Sequence, residues 1–166
     1  NDDWVFGYLT YDIKNNIELL YSENIDSQNF PKIHFFTAQI IIQVKANTVS
    51  FLFDSSWSNS KIDNLFKEVL DFSIQKFNIE DVIIKSRVEK EEYLDNVRSI
   101  QKKLQSGDIY EMNYCQEFYV ENLNIDPYLL FNRLNTISEA PFTSFYKIDN
   151  HFCLCASPER FFKKIG

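Results

Sequence analysis

The chain has 166 residues, and 45% of them are hydrophobic. This length is enough for one domain with a full core, whereas two independent domains would be a tight fit. The formal net charge is -7 and no run of Lys and Arg forms a basic stripe, which argues against a nucleic-acid-binding protein. The sequence contains no stretch of about 18 apolar residues, the length that would predict a membrane span. The 3 cysteines are odd in number and include no Cys-x-x-Cys pair, which favours a reducing, cytoplasmic location.

The N-terminal part of the chain has the aromatic and β-branched content of paired strands. Residues 4–12 (WVFGYLTYD) predict a strand, and the polar IKNN after it predicts a turn or a short helical connection. Residues 33–46 and 48–54, separated by Asn47, predict an antiparallel hairpin. The continuous apolar content of this hairpin indicates that one face packs on another layer.

Two stretches in the middle of the chain have helical spacing. From Ser60 to Phe77 the apolar residues fall mostly on one helix face, and Ser60 with Asp63 predicts the N-terminal cap. Residues 89–107 predict a second helix, because acids occupy its first turn, lysines its last turn, and Gly107 the place of a left-handed C-cap.

The C-terminal part alternates strands and a helix. Residues 108–121 predict a strand, residues 126–135 predict a helix with Pro127 in its first turn, and TSFYKID with HFCLCAS predicts a hairpin around Asp149 and Asn150. Because strands and helices mix without strict alternation, we predict the α+β class, with largely antiparallel sheets and helices packed on them.

The two ends of the sequence resemble the interior of a fold. The chain starts within one strand-like run and ends within another, RFFKKIG. We therefore expect residues 1–166 to be one incomplete domain, a fragment of a longer protein.

Residue chemistry alone indicates three places for a site, and the first is the predicted strand 108–121. Alternation puts Glu111, Asn113 and Cys115 on one face, which is most simply a half-solvated face. Cys115 lacks the neighbouring His or basic residue that would stabilise a nucleophilic thiolate. Inert packing of this cysteine is favoured.

The second place is APFTSF, where Pro141 fixes a bend and Phe142 could stack on a flat ligand or simply anchor the loop. The third is Glu159 in ASPERFF. Pro158 stiffens its backbone, and Phe161 and Phe162 could surround the carboxyl with apolar groups that favour its protonated form, as a general acid requires. The alternative, usual for a Glu beside an Arg, is a solvated or ion-paired surface group.

The order and spacing of several motifs resemble the chorismate-utilising enzymes. These motifs are GDIYEMNYCQEF (107–118), APFTSFYKID (140–149) and SPERFFK (157–163), with WVFGYLTYDIKN (4–15) similar to the family's Gly-Tyr strand segment. The resemblance covers most of the chain and implies part of an α/β/β/α chorismate-binding fold. Within the family it is strongest to the aminodeoxychorismate synthase component I branch, with anthranilate synthase component I as the sister branch.

The resemblance implies a role for three of the candidate residues. Glu159 matches the general acid that protonates the departing C4 hydroxyl of chorismate. Glu111 stands where isochorismate and salicylate synthases carry a lysine base and where amine-using members usually have Gln, which ranks the former branches lower. Asn113 and the APFTSF segment are closer to aminodeoxychorismate synthases.

The resemblance also implies ligands and partners. Pro141, Phe142 and Thr143 would line a tryptophan pocket that is completed by residues before Asn1. Mg²⁺ would be held by acids beyond Gly166, with no metal ligands in this fragment. The chorismate-aminating lysine nucleophile would also lie beyond Gly166, and ammonia would come from a glutamine amidotransferase subunit.

The resemblance thus predicts a fragment, inactive alone, of a folate-pathway enzyme that aminates chorismate at C4. Two alternatives stay open. The first is anthranilate synthase component I, and the second is a non-catalytic module that binds a tryptophan-like small molecule, with Phe142 stacking on it.

Overall fold

A computed structural model describes residues 4–73 and 82–165 of the chain. The described residues divide into two compact units, a first of residues 4–73 with 144–153 and a second of residues 82–143 with 154–165. Phe77, which the sequence places on a helix face, lies outside the described residues.

The architecture is α+β, as predicted, with small two-stranded sheets. The described strands are β1 (Val5–Leu9), β2 (Ile33–Thr37), β3 (Ile40–Lys45), β4 (Thr48–Phe53), β5 (Lys85–Ser86), β6 (Phe118–Tyr119), β7 (Phe142–Ile148) and β8 (His151–Ser157). The α-helices are α1 (Lys14–Ile17), α2 (Asn59–Asp71), α3 (Lys90–Ser106) and α4 (Pro127–Ser138), and a 3-10 turn spans Tyr11–Ile13. The strands pair as β1–β2, β3–β4, β5–β6 and β7–β8.

In the first unit, the predicted single strand over 33–46 is instead two strands. The chain leaves strand geometry at Ala38 and Gln39, because β2 pairs antiparallel with β1 whereas β3 pairs antiparallel with β4. The hairpin predicted around Asn47 is confirmed as β3–β4. The short helical connection after β1 is also confirmed, by the 3-10 turn and α1.

Helix α2 packs against the β3–β4 hairpin. The rings of Phe51 in β4 and Phe66 in α2 meet edge to face with centroids 5.6 Å apart. Ile62 in the same helix is 7% exposed and is the one buried hydrophobic side chain among the described residues. The cap lies two residues earlier than predicted, since Ser58 rather than Ser60 accepts the N–H of Lys61. Ser58 is the residue with the extended backbone that a cap requires.

An aromatic cluster joins the β1–β2 sheet to the β7–β8 hairpin within the first unit. Tyr146 of β7 meets Tyr8 edge to face at 5.1 Å, and its hydroxyl hydrogen-bonds the Nδ1 atom of His34. Loss of water around Tyr146, with a smaller contribution from Tyr8, raises the pKa of its phenol. Contacts between residues that are distant in sequence therefore hold these strands together.

In the second unit, α3 ends as predicted. Gly107 adopts φ 80° and its N–H bonds the carbonyls of Leu104 and Lys103. The predicted strand over 108–121 is wrong for most of its length, because only Phe118–Tyr119 (β6) pairs, with Lys85–Ser86 (β5). Residues 111–117 form neither helix nor strand.

The C-terminal elements follow the prediction up to the end of β8. Asp126 accepts the N–H groups of Tyr128 and Leu129 and caps α4, with Pro127 in the first helical position. The hairpin around residues 149–150 is confirmed as β7–β8. The strand-like run after Ser157 is not a strand, since residues 160–165 have no regular structure.

The chain exposes far more surface than its mass requires. Its accessible area is 15015 Å², whereas two compact units sharing the same 19.7 kDa would expose about 10,400 Å². Large apolar side chains such as Leu19 and Tyr110 are 92% and 97% exposed. Many apolar side chains of these sheets and helices are therefore exposed to solvent in this structure.

Candidate functional site

The Ser157–Pro158–Glu159 motif forms a tight turn directly after β8. The Ser157 hydroxyl donates to the Glu159 carbonyl oxygen at 3.0 Å and accepts the Glu159 N–H at 3.3 Å. Pro158 between them has a fixed φ angle. The motif therefore holds the Glu159 backbone with its own side chains, while the Glu159 residue is exposed.

The predicted apolar surroundings of Glu159 are absent from the part of the chain that the structure describes. Phe161 and Phe162 are 97% and 74% exposed, and their rings contact each other at a centroid distance of 5.6 Å. The expectation that they enclose the carboxyl is wrong, because residues 160–165 form no strand that would carry the rings back over the turn. No ion pair links Glu159 to Arg160 among the described residues either. In this structure Glu159 is a solvated carboxyl.

The β7–β8 hairpin brings two of the three predicted places together. Phe142 is the first residue of β7 and Ser157 the last residue of β8, so a short hairpin connection puts both at the same end. The guanidinium carbon of Arg160 lies 4.9 Å from the Phe142 ring centroid. Of the predicted tryptophan-pocket residues, Pro141 is exposed, and Phe142 and Thr143 are half-buried.

The remaining predicted place includes residues 111–117, an extended segment that is anchored through one face. Its exposure alternates as predicted from residue 113 to 117: Asn113, Cys115 and Glu117 are exposed, while Tyr114 and Gln116 are half-buried. Glu111 is exposed as well. No hydrogen bond or ion pair joins Glu111 or Asn113 to Glu159 in the described ranges.

The half-buried side chains anchor this segment to α3 and the chain before it. The Tyr114 ring stacks on Tyr93 at 5.2 Å, and its hydroxyl accepts the side-chain amide N–H of Asn96 at 2.8 Å. The side-chain amide of Gln116 donates to the Val88 carbonyl at 2.7 Å. A cavity of about 370 Å³ lies beside these anchors. The anchored face leaves Glu111 and Asn113 free for contact with a ligand.

A bidentate ion pair fixes the end of the segment. Arg87 donates from Nε and Nη2 to the Glu117 carboxylate at 3.0 and 3.2 Å, and its backbone N–H bonds the Glu117 carbonyl at 2.9 Å. The hydrogen bond from Arg87 lowers the pKa of Glu117, and the reciprocal bond raises the pKa of Arg87. The Arg87 guanidinium also lies 4.1 Å from the Tyr119 ring centroid.

Within residues 4–73 and 82–165, no group of three or more His, Cys, Asp or Glu side chains is placed to hold a metal ion. The helices in these ranges are also too short or too polar to cross a membrane.

Three features of the site were missed by the sequence interpretation. The Ser157 hydroxyl bridge, the Arg87–Glu117 pair and the Arg160–Phe142 contact all depend on side-chain geometry. Only the first has a local signal, since a Ser hydroxyl often hydrogen-bonds the backbone of the residue two positions later. The other two join residues 30 and 18 positions apart, which no local pattern indicates.

Comparison with known proteins gives one family for the whole chain. The sequence profile of the family described as "chorismate binding enzyme" matches residues 1–166. Aminodeoxychorismate synthase component 1 of Escherichia coli is 30% identical over 122 residues, which cover 74% of this chain and 26% of that protein. The same-named protein of Klebsiella aerogenes is 38% identical over 77 residues, covering 46% of this chain and 17% of that protein.

Anthranilate synthases are similar over more of the chain at lower identity. Anthranilate synthase component 1 of Acetivibrio thermocellus is 22% identical over 174 residues, covering 92% of this chain and 35% of that protein. The crystal structure of anthranilate synthase component I from Streptococcus pneumoniae matches with a TM-score of 0.71 at 19% identity, covering 95% of this chain and 39% of that chain. The chain thus spans less than two fifths of each of these proteins and shares the fold of part of the last.

Proposed function

Because this chain belongs to the chorismate binding enzyme family, we propose that it is part of an aminodeoxychorismate synthase component I. Such an enzyme replaces the C4 hydroxyl of chorismate by an amine, on the way to p-aminobenzoate and folate in the cytoplasm. We call the longer protein the parent enzyme. The observation that carries the proposal is the Ser157–Pro158–Glu159 turn, which fixes the backbone of Glu159 at the end of the hairpin that also carries Phe142.

Glu159 is the proposed general acid. Hydroxide is a poor leaving group, and a positioned carboxylic acid converts the departing C4 hydroxyl to water, an effect of about 10²–10⁴-fold on rate. The acid must be protonated before it acts, so it needs apolar surroundings. Since Glu159 is exposed in this chain, we propose that other parts of the parent enzyme cover it.

The remaining chemistry is assigned to the parent enzyme. A lysine outside this chain attacks C2 of chorismate as the C4 hydroxyl leaves, and ammonia from a glutamine amidotransferase subunit later displaces that lysine. The described residues do not fit a Mg²⁺ site, because no cluster of acids is present among them. We therefore place Mg²⁺, which would hold the substrate's negative charge, on acids outside this chain and derive no step from it.

Two further groups of residues have proposed positions in the site. Glu111 and Asn113 line the active site from the anchored segment, because the inward side chains on either side of Cys115 fix it to α3 and to the chain just before that helix. Pro141, Phe142 and Thr143 form one side of a tryptophan pocket at the start of β7. Both proposals predict that the named residues contact a ligand and that the anchoring side chains do not.

Anthranilate synthase component I is the second candidate. The similarity to the Acetivibrio thermocellus protein over 92% of this chain supports it, although the identity is lower than for the Escherichia coli protein. The two reactions differ in their products, because aminodeoxychorismate keeps the cyclohexadiene ring of chorismate whereas anthranilate is aromatic. Incubation of the parent enzyme with chorismate, ammonia and Mg²⁺, followed by separation of products, distinguishes aminodeoxychorismate from anthranilate.

The role of Glu159 is tested by Glu159→Gln in the parent enzyme. We expect turnover to fall by about 10²–10⁴-fold, because the amide cannot donate the required proton. Circular dichroism and binding of the amidotransferase subunit should not change. The matched control is Glu23→Gln, an exposed glutamate of the first unit that makes no ion pair among the described residues. Near-normal turnover of Glu159→Gln would refute the assignment.

A further inference from the structure

Arg160 is held in a geometry that suits an anionic ligand. Its guanidinium carbon lies 4.9 Å from the centroid of the Phe142 ring. A cation–π contact draws on the charge of the guanidinium and forms no N–H···O bond, and the N–H groups of an arginine match the two oxygens of a carboxylate. The contact with Phe142 therefore does not use the hydrogen-bond donors of Arg160.

Arg160 also lacks the acidic partner that Arg87 and Arg98 have. Arg87 pairs with Glu117 and Arg98 with Asp95, at 3.0 and 2.7 Å. Among the described residues, Arg160 makes no ion pair, although Glu159 is its neighbour in sequence. Its charge is therefore not neutralised within the described part of the chain.

The local charge around Arg160 is opposite to that of the chain. The net charge of the whole sequence is -7, yet residues 158–165 contain one acidic residue, Glu159, against Arg160, Lys163 and Lys164. An acidic chain disfavours a carboxylate ligand on average, whereas a local excess of positive charge favours one. The excess lies next to the turn that carries the proposed general acid.

We propose that Arg160, held against the Phe142 ring, binds the carboxylate of a small ring-bearing acid. The inference rests on the proposed function, which supplies two such acids, chorismate as substrate and tryptophan as a ligand of the Phe142 pocket. Both present a carboxylate beside a ring, the chemistry that a guanidinium next to an aromatic side chain recognises. Arg160 is a binding residue in this scheme and takes no part in proton transfer.

The test uses Arg160→Gln and Arg160→Lys in the parent enzyme, with Arg133→Gln as the matched control. Arg133 lies on α4, is exposed, and likewise makes no ion pair among the described residues, but no aromatic contact orients it. Steady-state kinetics with chorismate give KM and kcat, and calorimetry gives the Kd of chorismate and of tryptophan. Thermal melting confirms that each variant is folded.

We expect Arg160→Gln to weaken binding of one of the two acids by about 10- to 100-fold, with kcat changed less than about twofold. Arg160→Lys should lie between Gln and the wild type, because it keeps the charge and loses the planar fork. A higher KM for chorismate assigns the site to the substrate, whereas a higher Kd for tryptophan at constant KM assigns it to the amino acid. Arg133→Gln should change none of these constants.

Unchanged binding of both acids in Arg160→Gln overturns the proposal, as does an equal loss in Arg133→Gln. A parent enzyme that binds neither acid overturns it too. A parent enzyme that binds chorismate and forms no aminated product contradicts the proposed reaction instead, and the calorimetric comparison of the variants still decides the role of Arg160.

Discussion

Replacing Gly7 by alanine should open the β1–β2 sheet. Gly7 lies opposite Phe35 in the antiparallel register, and a Cβ at this position would overlap the carbonyl oxygen of His34. It would also lie 2.5 Å from Phe35 Cδ1 and 2.8 Å from Phe35 Cα, where carbon atoms prefer about 3.5–4.0 Å. Because two of these three atoms are backbone, rotation of a side chain cannot relieve the overlap.

The magnitude follows from the displacement. Relief of the contact requires the β2 backbone to move by roughly 1 Å, which stretches neighbouring N–H···O bonds from about 2.9 Å beyond hydrogen-bond range. Loss of about two or three such bonds costs about 2–3 kcal/mol. The local opening equilibrium should therefore rise about 30- to 150-fold.

Amide hydrogen exchange of the β1 and β2 residues measures this opening directly. Gly107→Ala is the control, because a Cβ there meets nothing within 4 Å and the positive φ of 80° alone is strained. That strain costs about 1 kcal/mol at the end of α3. It should leave exchange in β1 and β2 unchanged. If Gly7→Ala exchanges at the wild-type rate in these strands, the steric argument is wrong.

Two further predictions concern the segment that carries Glu111. Tyr114→Phe removes the acceptor of the Asn96 amide, so it should speed amide hydrogen exchange of residues 111–117 and lower turnover of the parent enzyme, each by about fivefold. The control Tyr110→Phe, at a 97% exposed position, should do neither. Equal behaviour of the two variants would contradict the anchoring. Because the hydrogen bond from Arg87 lowers the pKa of Glu117, the pair contributes fully above the ordinary value of 4.5 and is lost as the pH falls through the lowered value. An NMR titration should show the Arg87 Nε–H signal shifting in that window in the wild type, and an identical shift in Glu117→Gln would exclude this cause.

The sequence alone determined the elements whose signals are local. Helix α3 follows from its helical spacing and ends at Gly107 because a residue without a Cβ adopts φ 80° at little cost. The start of α4 follows from Pro127, and the hairpin around residues 149–150 follows from two apolar runs with polar residues between them. The family resemblance was carried by the same kind of signal, short motifs in a fixed order.

Tertiary structure decided everything that depends on a distant partner. The break at Ala38 and Gln39 exists because β2 pairs with β1 and β3 with β4, and the apolar run that crosses it carries no sign of either choice. Aromatic content predicted a strand over 108–121, yet residues 111–117 are anchored by side chains and not by a neighbouring strand. The contact of Arg160 with Phe142 exists only because β7 folds back on β8. A strand requires a hydrogen-bonding partner from elsewhere in the chain, whereas a helix satisfies its own backbone, so the helices were predictable and the strand pairings were not.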